Sequence, residues 1–254
     1  MGRSRRTFDG LLNLNKPVGI SSAKALDRFR GITGVRKSGH TGTLDPLAGG
    51  VLIICMGRGT KLVEKVMNQP KRYVATARLD VTSRTFDAES DPEPVAVLSI
   101  PSRSGLLGTL KGFEGVIEQV PPAFSAVKID GRPAYQLARS NRPVSVRPRR
   151  VEVYWLHLRR YAWPEMEFEA CCGRGTYIRS LIRDIGERLG TGGCLTRLER
   201  VAVGPYLIDG AVTLEELRRL PLEAVAIGLE TATEVLNAPP VIPPRPRCDP
   251  SLDS

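Results

Sequence analysis

HTGTLDPLAGGVLIICMG, residues 40–57, sets two kinds of sequence back to back. Residues 51–56, VLIICM, are a continuous apolar run with the composition of a strand buried on both faces. Residues 40–50 cannot be regular structure. Gly42, Gly49 and Gly50, with Gly39 just before them, interrupt any helix and allow tight turns and close approach of a ligand to the backbone. Asp45 precedes Pro46, which disfavours helical backbone at Asp45 and presents its side chain from extended chain. On composition alone, an Asp-Pro turn at a strand entry accounts for this. Two features point to chemistry instead. The loop lies between a basic helix and a buried strand, where a rigid scaffold presents functional loops. The Gly, Thr and His gathered around one carboxylate also exceed what a turn requires.

On the N-terminal side, GISSAKALDRFRGITG predicts a capped helix, with Ser22 as the cap and Gly31 or Gly34 as the stop. On the C-terminal side, KRYVATARLDV alternates, with Tyr73, Ala75, Ala77 and Leu79 sharing one face. VEVYWLHLRR and EMEFEACC alternate in the same way and read as successive strands. GTYIRSLIRDIGERLGTGG is the clearest helix. Tyr177, Ile178, Leu181, Ile182, Ile185 and Leu189 form its apolar stripe, and Gly190 closes it. Thr213 and Glu216 have the spacing of a capping box. Strands and helices intersperse without a βαβ rhythm, which predicts an α+β fold with a mixed, mostly antiparallel sheet.

The chain of 254 residues is 41% hydrophobic, enough for one large domain with a sizeable core. No apolar run approaches the roughly 20 residues of a membrane-spanning helix. The basic start, MGRSRRTFDG, lacks the apolar region of a secretory signal. Cys55, Cys171, Cys172, Cys194 and Cys248 make an odd count without a C-x-x-C pair, as expected of buried thiols in a reducing compartment, the cytoplasm. With only His40 and His157, no metal site is expected. The net charge is +10 and the pI about 9.7. The excess concentrates in residues 1–40 and 128–150, as a phosphate-tracking surface requires, although a solvated basic surface explains it equally well.

Other constellations fail. GRGTK at 57–61 lacks the spacing of a phosphate loop, and no G-x-S-x-G elbow accompanies either histidine. His157 lies on an alternating strand and reads as structural. GRGTYIRS, residues 173–180, is the second candidate site. Tyr177 and Arg179 fall at a helix start, where a polyanion is favoured. Arg179 can pair with a buried carboxylate such as Asp45 or serve as a solvated cap.

Six segments occur in one order: LLNLNKPVGISSAKALDRFR, KSGHTGTLDPLAGGVLIICMGRGTKL, KRYVATARL, TSRTFDAES, GVIEQVPPAFSAVKIDGRPAYQLAR and CGRGTYIRSLIRDIGERLGTGGCLTRLERVAVGPY. Together they closely resemble the TruB family of tRNA pseudouridine synthases over roughly residues 10–220. The resemblance implies the pseudouridine synthase fold, a curved mixed sheet flanked by helices. It implies isomerisation of uridine-55 in the T-loop of tRNA, with no metal and no organic cofactor. Asp45 matches the catalytic aspartate. His40 resembles the histidine near the extruded nucleotide, Tyr73 the tyrosine that stacks on the flipped base, and Tyr177 and Leu198 other pocket residues. Arg179 resembles the arginine that pairs with the catalytic carboxylate and keeps it ionised. Lys16 falls in a motif expected to support the active loop. Gly49, Phe124 and Ser90 depart from the family's usual Thr, Tyr and Gly.

The expected organisation is a basic arm at 1–9, a catalytic domain at 10–220 with an RNA-contacting insertion around 124–150, and a proline-rich disordered tail at 221–254. A C-terminal PUA domain is expected to be absent and tRNA affinity correspondingly weaker. The expected partner is the tRNA T-loop and T-stem, bound by a cytoplasmic monomer without a membrane. Two rival readings share the scaffold: an RNA-binding protein without catalysis, and the same chemistry on another RNA with a guide and partner proteins.

Overall fold

A computed structural model of the chain describes residues 7–124, 128–129, 132–133 and 146–247. Most of the basic arm, most of the expected RNA-contacting insertion, and Cys248 lie outside the described residues. The elements in chain order are β1 (Gly10–Lys16), α1 (Ser22–Thr33), β2 (Ser38–Thr41), β3 (Ala48–Met56), α2 (Val63–Met67), β4 (Lys71–Arg78), β5 (Val81–Thr82), β6 (Glu93–Pro94), α3 (Arg103–Lys111) and β7 (Gly115–Gln119). There follow β8 (Lys128–Ile129), β9 (Arg132–Pro133), β10 (Arg149–Ala162), β11 (Glu165–Cys172), α4 (Ile178–Leu189), β12 (Cys194–Val203) and β13 (Tyr206–Leu207). The last are β14 (Val212–Thr213), α5 (Glu216–Arg219), α6 (Leu222–Val225), β15 (Ile227–Gly228) and α7 (Leu229–Asn237). Among the described residues no helix is long and apolar enough to cross a membrane.

The chain divides into two compact units, Met1–Tyr73 with Glu199–Ile242, and Val74–Leu198 with Pro243–Ser254. In the first, β1 pairs antiparallel with β3 and β15 and parallel with β14, and β2 pairs antiparallel with β3. In the second, β10 pairs antiparallel with both β11 and β7. The mixed, mostly antiparallel α+β class expected from the sequence is the one observed.

Every residue of β3 is buried. Leu52, Ile54 and Met56 join Leu12, Leu14 and Phe29 in one core. Val51, Ile53 and Cys55 join Leu11, Leu62 and Val66 in another. An apolar run in place of alternation is therefore what a strand covered on both faces demands. The four described cysteines are buried, and burial pushes the Cys55 thiol up to about 12.

Three expectations need correction. The cap of α1 is Ser21, whose side chain accepts from the Lys24 amide at 3.2 Å, and Gly34 closes the helix in the left-handed conformation. Ser22 is turned inward instead and buried. Tyr177 is the residue before α4, extended at φ −103°, rather than part of its first turn. The folded chain also continues past 220. β15 pairs with β1, and Ala232 and Leu236 of α7 fill the second core, because apolar side chains three and seven residues after Leu229 share one helix face. Even the proline-rich stretch is anchored: Trp155 donates its ring N–H to the Pro243 carbonyl at 2.8 Å, and Arg245 pairs with Glu114. Proline lacks a donor but keeps its acceptor.

Helix α4 carries a glycine with a specific purpose. A Cβ at Gly186 would lie 2.1 Å from the Gly192 carbonyl oxygen, so only Gly lets the following loop pack onto the helix. Ala normally favours a helix interior by about 1 kcal/mol over Gly. Gly186→Ala is expected to reverse that sign and destabilise by roughly 1–3 kcal/mol through overpacking, as read from urea denaturation.

Candidate active site

The Asp45 loop leaves β2 at Thr41 and enters β3 at Ala48. Asp45 itself is half-buried, and the loop around it is held by backbone hydrogen bonds. The Ser22 hydroxyl accepts from the Leu44 amide at 2.8 Å and donates to the Leu44 carbonyl at 3.0 Å. Gly19 N–H donates to the Pro46 carbonyl at 2.8 Å, and Ala48 N–H to the Asp45 carbonyl at 3.0 Å. The residues before, at and after the aspartate's backbone are thus each fixed. Such immobilisation is the condition for a positioned catalytic group.

Lys16 is fully buried at the end of β1, opposite Gly50 of β3. Its ammonium donates to the carbonyls of Pro17 at 2.9 Å and Ile20 at 2.6 Å. It therefore ties together the turn whose Gly19 amide holds Pro46. His40 lies on β2 opposite Ile54. Its Nδ1 is buried and accepts no hydrogen bond among the described residues. Burial above all, then the charges of Arg200 and Arg30, hold its pKa below the ordinary 6.5, so the ring is neutral at pH 7. Tyr73 of β4 is buried, with only 9% of its surface exposed.

The second unit holds the other candidates. Arg179, 4% exposed, is the second residue of α4. Its Nε lies 3.4 Å from a carboxylate oxygen of Asp87, itself 1% exposed. Its other nitrogens donate to the carbonyls of Thr85 at 3.2 Å and Phe124 at 2.8 Å. Asp87 also accepts from the Thr85 hydroxyl and the Glu89 amide. Phe86 beside it is held at φ +58°, a conformation rarely adopted without Gly. The Arg183 guanidinium covers its ring at 5.1 Å from the centroid. Gln119 brackets Tyr177: its Oε1 accepts from the Tyr177 amide at 2.8 Å and its amide donates to the Tyr177 carbonyl at 3.1 Å. Leu198 is buried on β12. Among the described residues no group of three or more His, Cys, Asp or Glu could hold a metal ion.

Lys16, His40, Asp45 and Tyr73 thus belong to one unit, and Tyr177, Arg179 and Leu198 to the other. Reading the sequence alone passed over Ser22 as a loop clamp, Asp87 and Gln119. The signal for Asp87 was present in TSRTFDAES, where hydroxyl residues flank the carboxylate on both sides.

Two outcomes follow from these environments. Asp87→Ala removes the buried carboxylate that faces Arg179 Nε at 3.4 Å, and a loss of about 3–5 kcal/mol is expected in urea denaturation. His40 has a lowered pKa in the folded state, so below pH 6.5 the unfolded chain binds more protons and stability falls with pH. His40→Gln is expected to flatten the decline of the urea midpoint between about pH 7 and 5, with His157→Gln measured alongside because burial lowers that pKa too.

Residues 30–178 match the model for the N-terminal domain of TruB family pseudouridylate synthases. Residues 179–232 match that for the C-terminal domain of tRNA pseudouridylate synthase B, which runs beyond the expected boundary at 220. The tRNA pseudouridine synthase B of Burkholderia pseudomallei (strain 668) is 45% identical over 214 residues, 84% of this chain and 70% of that protein. Its counterpart in Francisella philomiragia (subsp. philomiragia) is 38% identical over 244 residues, 95% of this chain and 80% of that protein. Among solved structures, a chain of a Cbf5–Nop10–Gar1 complex superposes with a TM-score of 0.68 at 28% identity, over 89% of this chain and 62% of that one. A chain of an H/ACA RNP bound to a substrate RNA gives a TM-score of 0.66 at 25% identity, over 89% and 61%. The chain belongs to the TruB family of pseudouridylate synthases.

Proposed function

We propose that the chain is a tRNA pseudouridine synthase that converts uridine-55 of the T-loop to pseudouridine. The observation that carries this reading is the Asp45 loop, a carboxylate on irregular backbone that is nonetheless clamped by Ser22, Gly19 and Ala48. The tRNA reading is favoured over action within an H/ACA particle by identity, 45% against 25%.

The exchange breaks the C1′–N1 bond, rotates the base, joins C1′ to C5 and expels the C5 proton, while N1 gains one. It is redox-neutral. Asp45 supplies the group it needs: a carboxylate can add to the sugar or the base, or take the C2′ proton. The target base must leave its stack to reach that carboxylate, at a cost of roughly a few kcal/mol. Stacking on Tyr73 offsets part of this, being worth about 1–3 kcal/mol. We assign Tyr177 and Leu198 to the nucleotide pocket, and His40, neutral, to the space beside the extruded nucleotide. Arg179, fixed by Asp87, Thr85 and Phe124, is assigned to keep the reacting carboxylate ionised. Lys16 supports the turn that holds Pro46. Buried reduced thiols fit a cytoplasmic setting.

The test is tritium release from unmodified tRNA transcript labelled at C5 of uridine. Wild type is expected to release label from position 55 alone, and Asp45→Ala to release none. Binding without release by wild type would instead favour the non-catalytic RNA-binding reading.

A further inference from the structure

Arg200 heads the fully buried side chains by volume, with 1% of its surface exposed. The mechanism above gives it no part. Its hydrogen bonds go to backbone carbonyls and not to a carboxylate: Nε donates to Val51 at 2.7 Å and Nη2 to Gly42 at 2.8 Å. One carbonyl opens the Asp45 loop and the other belongs to the strand that the loop enters. Gly42 directly follows β2, and Val51 lies within β3, in register with Asn15 of β1. A planar guanidinium meets both from separate nitrogens of one rigid fork, so it fixes the spacing between them, whereas an ammonium on a flexible stem offers a single point.

The loop is shaped around this side chain. Gly42 has φ +66°, and a Cβ there would lie 3.3 Å from Nη1 of Arg200. Gly50 has φ +96°, and a Cβ there would lie 2.3 Å from the Arg200 carbonyl oxygen. Two left-handed glycines, one on each side of Asp45, therefore let the loop close onto one residue. A buried cation is tolerated only where polar groups compensate it, and here the compensating groups are the loop's own carbonyls.

We propose that Arg200 is a positioning residue for the isomerisation, its guanidinium tying the start of the Asp45 loop at Gly42 to Val51 of β3 and so fixing Asp45 against the β-strand scaffold. The proposal rests on Asp45 being the reacting carboxylate. A displacement of about 1 Å at a reacting group can cost about 100-fold in rate, so a buckle of this kind acts on turnover and not on RNA affinity.

The experiment compares wild type, Arg200→Lys, Gly42→Ala, their double variant and Asp45→Ala as full chains. It reads single-turnover release of tritium from C5-labelled tRNA, tRNA affinity by filter retention, and thermal melting. Arg200→Lys keeps the charge but loses the fork; its rate is expected to fall at least tenfold, with Kd changed by less than about threefold. Gly42→Ala is expected to slow the reaction in the same way. The double variant is expected to be no slower than its slower parent, because both remove one contact. A rate for folded Arg200→Lys within about twofold of wild type overturns the proposal, as do parallel losses of rate and affinity. If Arg200→Lys does not fold, Gly42→Ala decides: slowed turnover at unchanged affinity supports the buckle, and wild-type turnover overturns it. Activity in Asp45→Ala overturns the assignment of the site as well. An inactive Asp45→Ala beside a full-rate Arg200→Lys overturns the Arg200 assignment alone.

Discussion

Strand β3 is apolar on both faces, and that creates a problem its neighbours must solve. A strand with one wet face is locked in register by polarity, since a slip of one residue would turn its core side chains outward. A strand buried on both sides has no such lock. In this protein the register is set by glycines at its ends. A Cβ at Gly50 would fall 2.3 Å from the Arg200 carbonyl oxygen, and one at Gly57 would fall 2.1 Å from Asp9 Oδ1. Shifted by one residue in either direction, β3 would put a side chain where only hydrogen fits. The strand that carries Asp45 at its head is therefore fixed along its own axis by steric exclusion.

From that fixed strand the loop inherits its geometry. Ser22 shows how. It is one residue from the helix cap, and the two adjacent serines take different tasks: Ser21 satisfies the open end of α1, and Ser22 pairs with both polar groups of Leu44. The helix start and the active loop are thus one construction.

Much of this was legible in the sequence, and the reasons differ by element. β3 and α4 declared themselves because each has one unambiguous period, a continuous apolar run in one case and a helical stripe in the other. Asp45 was legible as unusual, but the chemistry proposed for it rests on six motifs in order, since Asp-Pro also makes plain turns. Ser22 was misread because a cap and a tertiary clamp use the same hydroxyl, and only the fold says which amide is near. The partners of Asp87 and Gln119 were invisible for a related reason. Each acts on a residue far along the chain, Gln119 on Tyr177 and Asp87 on Arg179, and periodicity carries no information about such pairs. Helix α7 was hidden by its proline-rich continuation, although its apolar spacing matches the core it covers.

Three of the four buried cations among the described residues show a shared logic. Lys16 donates to Pro17 and Ile20, Arg179 to Thr85 and Phe124, and Arg200 to Gly42 and Val51. Five of these six acceptors lie in loops or turns, where no neighbouring strand supplies an amide. A buried carbonyl needs a donor, and irregular backbone cannot provide one from its own ladder. Long cationic side chains meet the need from a distance, each carrying several donors on a flexible stem. The desolvation of three charges is a substantial opposing term. A core built for stability alone would do better with apolar residues and shorter loops. A surface that must present a carboxylate to a flipped nucleotide needs irregular backbone held as rigidly as a strand, and buried cations on loop carbonyls meet both conditions at once.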